Sequence, residues 1–294
     1  ALPADERLTI IEGSVLDPAD VALASARCQL VFHLAGVVGK RLVAVNPERA
    51  YRVSVDGTKN VIAGTAAVPI VLFSSSAVYG LANNGVSSES DAVSERGTLM
   101  YDNGEPSYAT GKLHVEGLGE AASAAGRLVA IVRPFNVVGP GQTGSYGMVI
   151  PRFVASALTG APLTVFGDGG QTRSFTHIAT FIDCLFGLMA HPDAWTSPRN
   201  IVNVGVSRPT AIGDLAALVL EETGSNSEIQ RIPYDTIFPG EQDVVSRVPS
   251  TERLERLIGV MDWPSTRTIV RDVIASVRAQ VAAADTGPLV PSTP

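Results

Sequence analysis

Val71-Leu72-Phe73-Ser74-Ser75-Ser76-Ala77-Val78-Tyr79-Gly80 is an apolar run that passes into three hydroxyls. It predicts a buried strand that delivers serines to its carboxyl end. Further along, Ser107-Tyr108-Ala109-Thr110-Gly111-Lys112 opens a segment with helical spacing. That spacing puts Tyr108 and Lys112 on one helix face. A phenol beside a lysine is a device for making a base. Free tyrosine titrates near 10, so ionisation near neutrality needs a shift of roughly 3 units, or about 4 kcal/mol. One cation about 4 Å away supplies around that much at an effective dielectric of 20. Lys112 is the cation the spacing offers, and a serine hydroxyl from the strand would share the substrate's proton. With six Tyr and three Lys in 294 residues, a chance Tyr-x-x-x-Lys match is expected about 0.06 times.

Composition narrows the class. The 294 residues are 45% hydrophobic and 17% charged, as expected of a soluble globular protein of one large or two modest domains. A net charge of −7 with no basic block argues against a nucleic-acid partner. The two cysteines, Cys28 and Cys184, give no disulfide framework. The four histidines are scattered, so no metal site is expected. No long apolar run and no leader pattern is present, so we expect no membrane partner and a cytoplasmic location.

The motifs now on the page resemble an extended short-chain dehydrogenase/reductase of the nucleotide-sugar epimerase/dehydratase branch. The matching stretches are Ser74 to Gly80, Tyr108 to Lys112, His33-Leu34-Ala35-Gly36, Arg133-Pro134-Phe135-Asn136-Val137-Val138-Gly139-Pro140-Gly141 and Gly167-Asp168-Gly169-Gly170-Gln171-Thr172-Arg173. They follow the family's order and span most of the chain. The resemblance implies an α/β fold: a Rossmann-type doubly wound parallel sheet with a smaller C-terminal substrate domain. The expected division is 1–141 plus about 172–206 for the dinucleotide domain. About 142–171 and 207–285 would form the substrate domain, with 286–294 a tail.

Several element-level expectations follow from the pattern itself. Leu8 to Gly13 reads as a short strand, and a helix follows from Pro18. Gln29 to Gly36 reads as a clean buried strand ending in small residues. Asn46-Pro47 starts a helix with apolar spacing. Asn200 to Val204 reads as a strand returning to the sheet, and Thr210 as the cap of a following helix. Pro264 to Val281 reads as a last amphipathic helix. Gly139-Pro140-Gly141-Gln142-Thr143-Gly144 matches a phosphate-turn pattern literally, yet it follows the Arg-Pro-Phe-Asn segment and leads into no helix at once, so it reads as a loop. In the family, the strand at Leu8 is preceded by a βαβ unit with the Gly-rich turn. Either that unit is omitted from this chain, as we expect because its loss would leave a long unpaired sheet edge, or the protein lacks it and binds dinucleotide poorly or not at all.

The resemblance also assigns roles. It implies Ser75, Tyr108 and Lys112 as catalytic, and NAD as cofactor. The cofactor would be held by Ser14, Val15, Leu34, Ala35, Gly36, Phe73, Ser74, Tyr108, Lys112, Pro134 and Phe135. A UDP-linked sugar would be held by Ser75, Ser76, Tyr108, Asn136, Val149, Thr164, Phe166, Arg173 and Asp243. Arg173 would grip the diphosphate, for which a guanidinium fork is suited. Two departures stand out: Ser14 replaces the usual acid, and Ser76-Ala77 carries no carboxylate where dehydratase and decarboxylase relatives place one. The expected activity is therefore an NAD-dependent UDP-sugar 4-epimerase acting as a homodimer. A dehydratase or reductase of the same family is the alternative within the class, and a noncatalytic sugar-nucleotide binder the alternative outside it.

Overall fold

The computed structural model describes residues 5–65, 68–80, 85–91, 101–102, 105–106, 108–144, 147–196, 200–240 and 243–285. Ser107 of the catalytic-helix motif and the expected tail at 286–294 lie outside them.

In chain order the elements begin with α1 (Pro18–Ser25), β1 (Val31–His33), α2 (Lys40–Val45), α3 (Pro47–Gly64) and β2 (Ile70–Phe73). A 3-10 turn (Ser76–Tyr79) leads to β3 (Val86–Ser87), β4 (Tyr101–Asp102), β5 (Glu105–Pro106), α4 (Tyr108–Ala124), β6 (Val129–Pro134) and β7 (Val137–Val138). The second half opens with α5 (Val149–Thr159), β8 (Leu163–Phe166), β9 (Thr172–Ser174), β10 (Thr176–His177), α6 (Ile178–Ala190) and α7 (Asp193–Thr196). It continues with β11 (Ile201–Val204), β12 (Pro209–Ala211), α8 (Ile212–Thr223), β13 (Ile229–Ile232) and α9 (Tyr234–Ile237). It closes with β14 (Ser246–Pro249), α10 (Glu252–Ile258) and α11 (Thr266–Asp285).

Four of these strands form a parallel sheet in the order β1-β2-β6-β11. Each residue of β2 is buried, and strand alternation sends neighbours to opposite faces. Ile70 and Leu72 pack with Val21, Val61, Val115 and Ile131, toward α1, α3 and α4. Val71 and Phe73 pack with Phe181, Cys184, Leu188 and Leu254, toward α6 and α10. Helices therefore cover both faces, as an all-parallel sheet requires. Burying each such side chain contributes about 1.5–3 kcal/mol. Gly119 lets α4 lie close on the sheet: a Cβ there would meet Leu72 and Ile131 at 2.8 Å.

A second, smaller sheet runs β12-β9-β14-β3, beside a cluster built from α5, β8, α8 and α11. Phe153, Leu163, Leu215 and Ile269 are completely buried in it. Among the described residues no helix is long and apolar enough to cross a membrane, and no group of three or more potential metal ligands occurs.

Three expectations need correction. Leu8 to Gly13 forms no strand: it finds no partner for a ladder among the described residues, and Ile10 is 68% exposed. The expected buried strand at Gln29 to Gly36 is shorter, Val31–His33, and it lies at the end of the sheet order, with Phe32 and Leu34 exposed. Thr210 does not cap α8. It belongs to β12, its hydroxyl meets that of Thr266 at 2.8 Å, and Ala211 occupies the cap position. The Gly139 to Gly144 stretch is a loop between β7 and α5, with Gly141 N donating to Ser276 Oγ on α11.

Candidate active site

The carboxyl end of β2 turns sharply through the 3-10 turn, and Ser75 starts it: its Oγ accepts from Ala77 N at 3.1 Å. The hydroxyl that caps the turn is therefore held at the strand end. α4 begins at Tyr108, and one helical turn on, Lys112 lies 5% exposed beneath it. The Ser75 hydroxyl acts on the Tyr108 phenol, lowering its pKa against burial. Lys112 Nζ donates to Phe73 O at 2.7 Å and stands 5.9 Å from the Tyr108 ring centre. Gly36, just past β1, faces Lys112: a Cβ built there would lie 3.5 Å from Nζ. Leu34, Ala35 and Gly36 are all accessible at this strand end. In open α/β sheets this crevice outside the strand carboxyl ends is where ligands bind.

Electrostatics at the phenol differ from the sequence reading. Burial raises the Tyr108 phenol above its ordinary value; the Ser75 hydrogen bond and the charge of Arg247 oppose that rise. Burial pushes Lys112 itself down to about 8, against the raising charge of Glu116. His33, at the end of β1, is pushed down to about 4 by burial and by the Lys112 charge. Thr58 Oγ1 donates to Ser54 O at 2.5 Å, so the 3.1 Å contact with His33 Nε2 makes the imidazole the donor.

Beneath these residues runs a buried polar network. Glu116 accepts from Arg133 Nε at 2.7 Å and Nη2 at 2.8 Å, and from Ser74 Oγ at 2.5 Å. Arg133 Nη1 donates to Tyr79 Oη, which donates to Asn203 Oδ1 at 2.7 Å. Asn203 N in turn donates to Glu89 at 2.7 Å. Two residues expected to touch the cofactor are thereby occupied. Ser74 spends its hydroxyl on Glu116. Phe135 is fully buried against Val78 and Tyr79, and its N–H and carbonyl bond to Val204 and Thr176. Phe135 is a packing residue, and Phe73 and Ser76 are also buried. Pro134 closes β6 half-exposed. Ser14 and Val15 sit across from α3: Ser14 Oγ accepts from Leu16 N, Val15 O accepts from Asn60, and the Val15 side chain packs on Gly57.

The expected sugar-nucleotide residues fall into two groups. Asn136 has a φ of 37°, in the left-handed region that favours glycine, and its Nδ2 donates to Ser174 O at 2.8 Å. Such backbone persists only where its surroundings fix it. Arg173 and Asp243 form an ion pair at 3.1 Å, with Nη1 of Arg173 donating to Thr172 O and Val244 O. Val149, Thr164 and Phe166 gather at the start of α5 and on β8. There Arg152 donates to Thr164 O and stacks over the Phe166 ring at 4.9 Å. The sequence reading missed Arg247 and Glu116. Glu116 repeats the Tyr108–Lys112 spacing by one more helical turn, and that spacing was a usable signal.

The parallel sheet with helices on both faces and the Ser75–Tyr108–Lys112 grouping define an α/β protein of the short-chain dehydrogenase/reductase kind. The chain belongs to the NAD dependent epimerase/dehydratase family, whose model matches residues 1–205. A UDP-N-acetyl-alpha-D-glucosaminuronate decarboxylase of Bacillus cytotoxicus is 29% identical over 254 residues, covering 85% of this chain and 77% of its own length. UDP-glucuronic acid decarboxylase 4 of Arabidopsis thaliana is 30% identical over 78% of this chain, which spans only 49% of that protein. The structure of MoeE5 in complex with UDP-glucuronic acid and NAD superposes with a TM-score of 0.76 at 26% identity. It covers 92% of this chain and 85% of the other.

Proposed function

We propose that the chain acts on a UDP-linked sugar as a 4-epimerase. The observation that carries this reading is the Ser75 hydroxyl at a strand end acting on the Tyr108 phenol, with Lys112 buried one helical turn on and no carboxylate at Ser76 or Ala77. Tyr108 Oη takes the proton of the sugar's C4 hydroxyl and later returns it. Ser75 Oγ holds the same oxygen and relays the proton. NAD, when bound, supplies hydride exchange at that carbon. Leu34, Ala35, Gly36 and Lys112 would hold its ribose side, and the exposed small residues beside the ammonium fit that task. Arg173 binds the diphosphate, and Asn136 lies against the sugar. Val149, Thr164 and Phe166 line the nucleotide. The exposed faces of α3 and α4 would pair two copies into a homodimer.

Ser76 and Ala77 carry no carboxylate, which sets this reading apart from elimination. Of the described carboxylates, Glu116 is engaged by Arg133 and Asp243 by Arg173. A second reading, decarboxylation, is favoured by the names of the relatives at 29% and 30% identity. Incubation with NAD and UDP-glucuronate or UDP-glucose, followed by NMR of the product, decides between them. The C4 epimer supports the epimerase reading; a pentose with carbon dioxide released replaces it with the second.

A further inference from the structure

Tyr108, Lys112 and Glu116 follow one another at four-residue steps, so α4 presents them on one face. Each acts on a different one of three consecutive residues at the end of β2. Tyr108 is the partner of the Ser75 hydroxyl. Lys112 Nζ donates to Phe73 O at 2.7 Å, and Glu116 Oε1 accepts from Ser74 Oγ at 2.5 Å. The first two of these side chains have a part in the scheme above; Glu116 and Ser74 have none. Ser74 nevertheless stands between the residue that receives the Lys112 ammonium and the residue that supplies the hydroxyl. Its bond to Glu116 joins an O–H to a buried carboxylate, which is about twice as strong as a neutral hydrogen bond. Glu116 is itself fixed, because Arg133 on β6 grips both its oxygens. Arg133 Nη1 also donates to Oη of Tyr79 at 2.8 Å, the last residue of the turn that Ser75 starts. The turn carrying Ser75 is thus held from both ends by one ion pair.

We propose that Glu116, acting through Ser74, is a positioning residue that sets the end of β2 against α4 and so aims Ser75 Oγ at Tyr108 Oη. Its consequence for turnover rests on the reading of Ser75 and Tyr108 as the proton-transfer pair.

The experiment follows the tyrosine Cζ resonance of Tyr108 by carbon NMR in the full chain at neutral pH, assigned by its loss in Tyr108→Phe. Ser75→Ala sets the signature of a phenol without its serine. Ser74→Ala is expected to move the resonance in the same direction, and Glu116→Gln to do so by an independent change that keeps the volume. Ser74→Thr, which retains the hydroxyl, should leave it in place. With NAD and UDP-glucose or UDP-glucuronate, Ser74→Ala should lower kcat about 10- to 100-fold. KM should stay within about threefold. A Ser74→Ala resonance at the wild-type position, or a wild-type kcat, overturns the inference. A resonance that Ser75→Ala does not move overturns it together with the Ser75–Tyr108 pair. A wild-type chain that converts neither sugar overturns the proton-transfer reading alone, and the resonance then decides the positioning by itself.

Discussion

Glu116 and Arg133 face each other through two hydrogen bonds, 2.7 and 2.8 Å long, with side chains only 6% and 4% exposed. The pair joins α4 to β6 beneath the site and fixes Ser74 and Tyr79 as well. Burial alone would lower the Arg133 pKa, but the hydrogen bonds and charge of Glu116 outweigh it and hold it above arginine's ordinary range. Removing one partner leaves the other charge buried and alone. Glu116→Ala is expected to destabilise the fold by about 3–5 kcal/mol, read from urea unfolding. The double variant Glu116→Leu, Arg133→Met should cost less than the sum of the single changes. Additive losses would show that the pair does not act as a unit.

His33 gives the protein an acid limit. Its folded pKa of about 4 lies below the ordinary 6.5, so the folded state binds fewer protons than the unfolded chain. The stability this provides is fully present above pH 6.5 and is lost as pH falls through about 4. Over that window the expected contribution is about 3 kcal/mol. Replacing His33 by Asn should flatten the stability curve between those limits relative to wild type. Identical slopes in both proteins would show that other groups carry the acid transition.

The parts of this arrangement that sequence exposes are those with a local period. β2 and α4 were legible because the burial of Ile70 to Phe73 and the Tyr108–Lys112 spacing are properties of a few consecutive residues. The direction of the Tyr108 shift was not, since it depends on how deeply the fold buries the phenol. Arg247 was invisible for a related reason. Its meaning comes from register with Arg173, a relation between strands far apart in the chain. Leu8 to Gly13 fails in the opposite sense: its β-branched residues suit a strand, but a strand exists only with a partner.

Tyr108→Phe separates chemistry from binding. Loss of the proton-transfer group is expected to lower kcat by about 100- to 10,000-fold, with KM for the nucleotide sugar nearly unchanged. Because the phenol lies above its ordinary pKa, wild-type activity should rise with pH toward the alkaline side. Arg247→Gln removes a charge that lowers that pKa, so its rise should shift to higher pH. Steady-state kinetics across pH check both. A Tyr108→Phe chain with substantial turnover would remove Tyr108 from the mechanism.

Lys112 sets function against stability. Burial depresses its pKa to about 8, so near neutrality the folded chain holds a charged ammonium in an unfavourable place. The folded state releases this proton before the unfolded chain does. Stability is therefore expected to increase as pH rises from about 8 toward 10.5 and to fall as pH drops back through about 8. Lys112→Met fills a similar volume without the charge. At pH 7 it should unfold at higher urea, gaining on the order of 2 kcal/mol, and its stability should lack the alkaline rise. The same change removes the cation beside Gly36 and Phe73 O, so turnover should be lost. A Lys112→Met chain that is less stable at pH 7 would mean that the 2.7 Å bond to Phe73 O outweighs the burial of the charge.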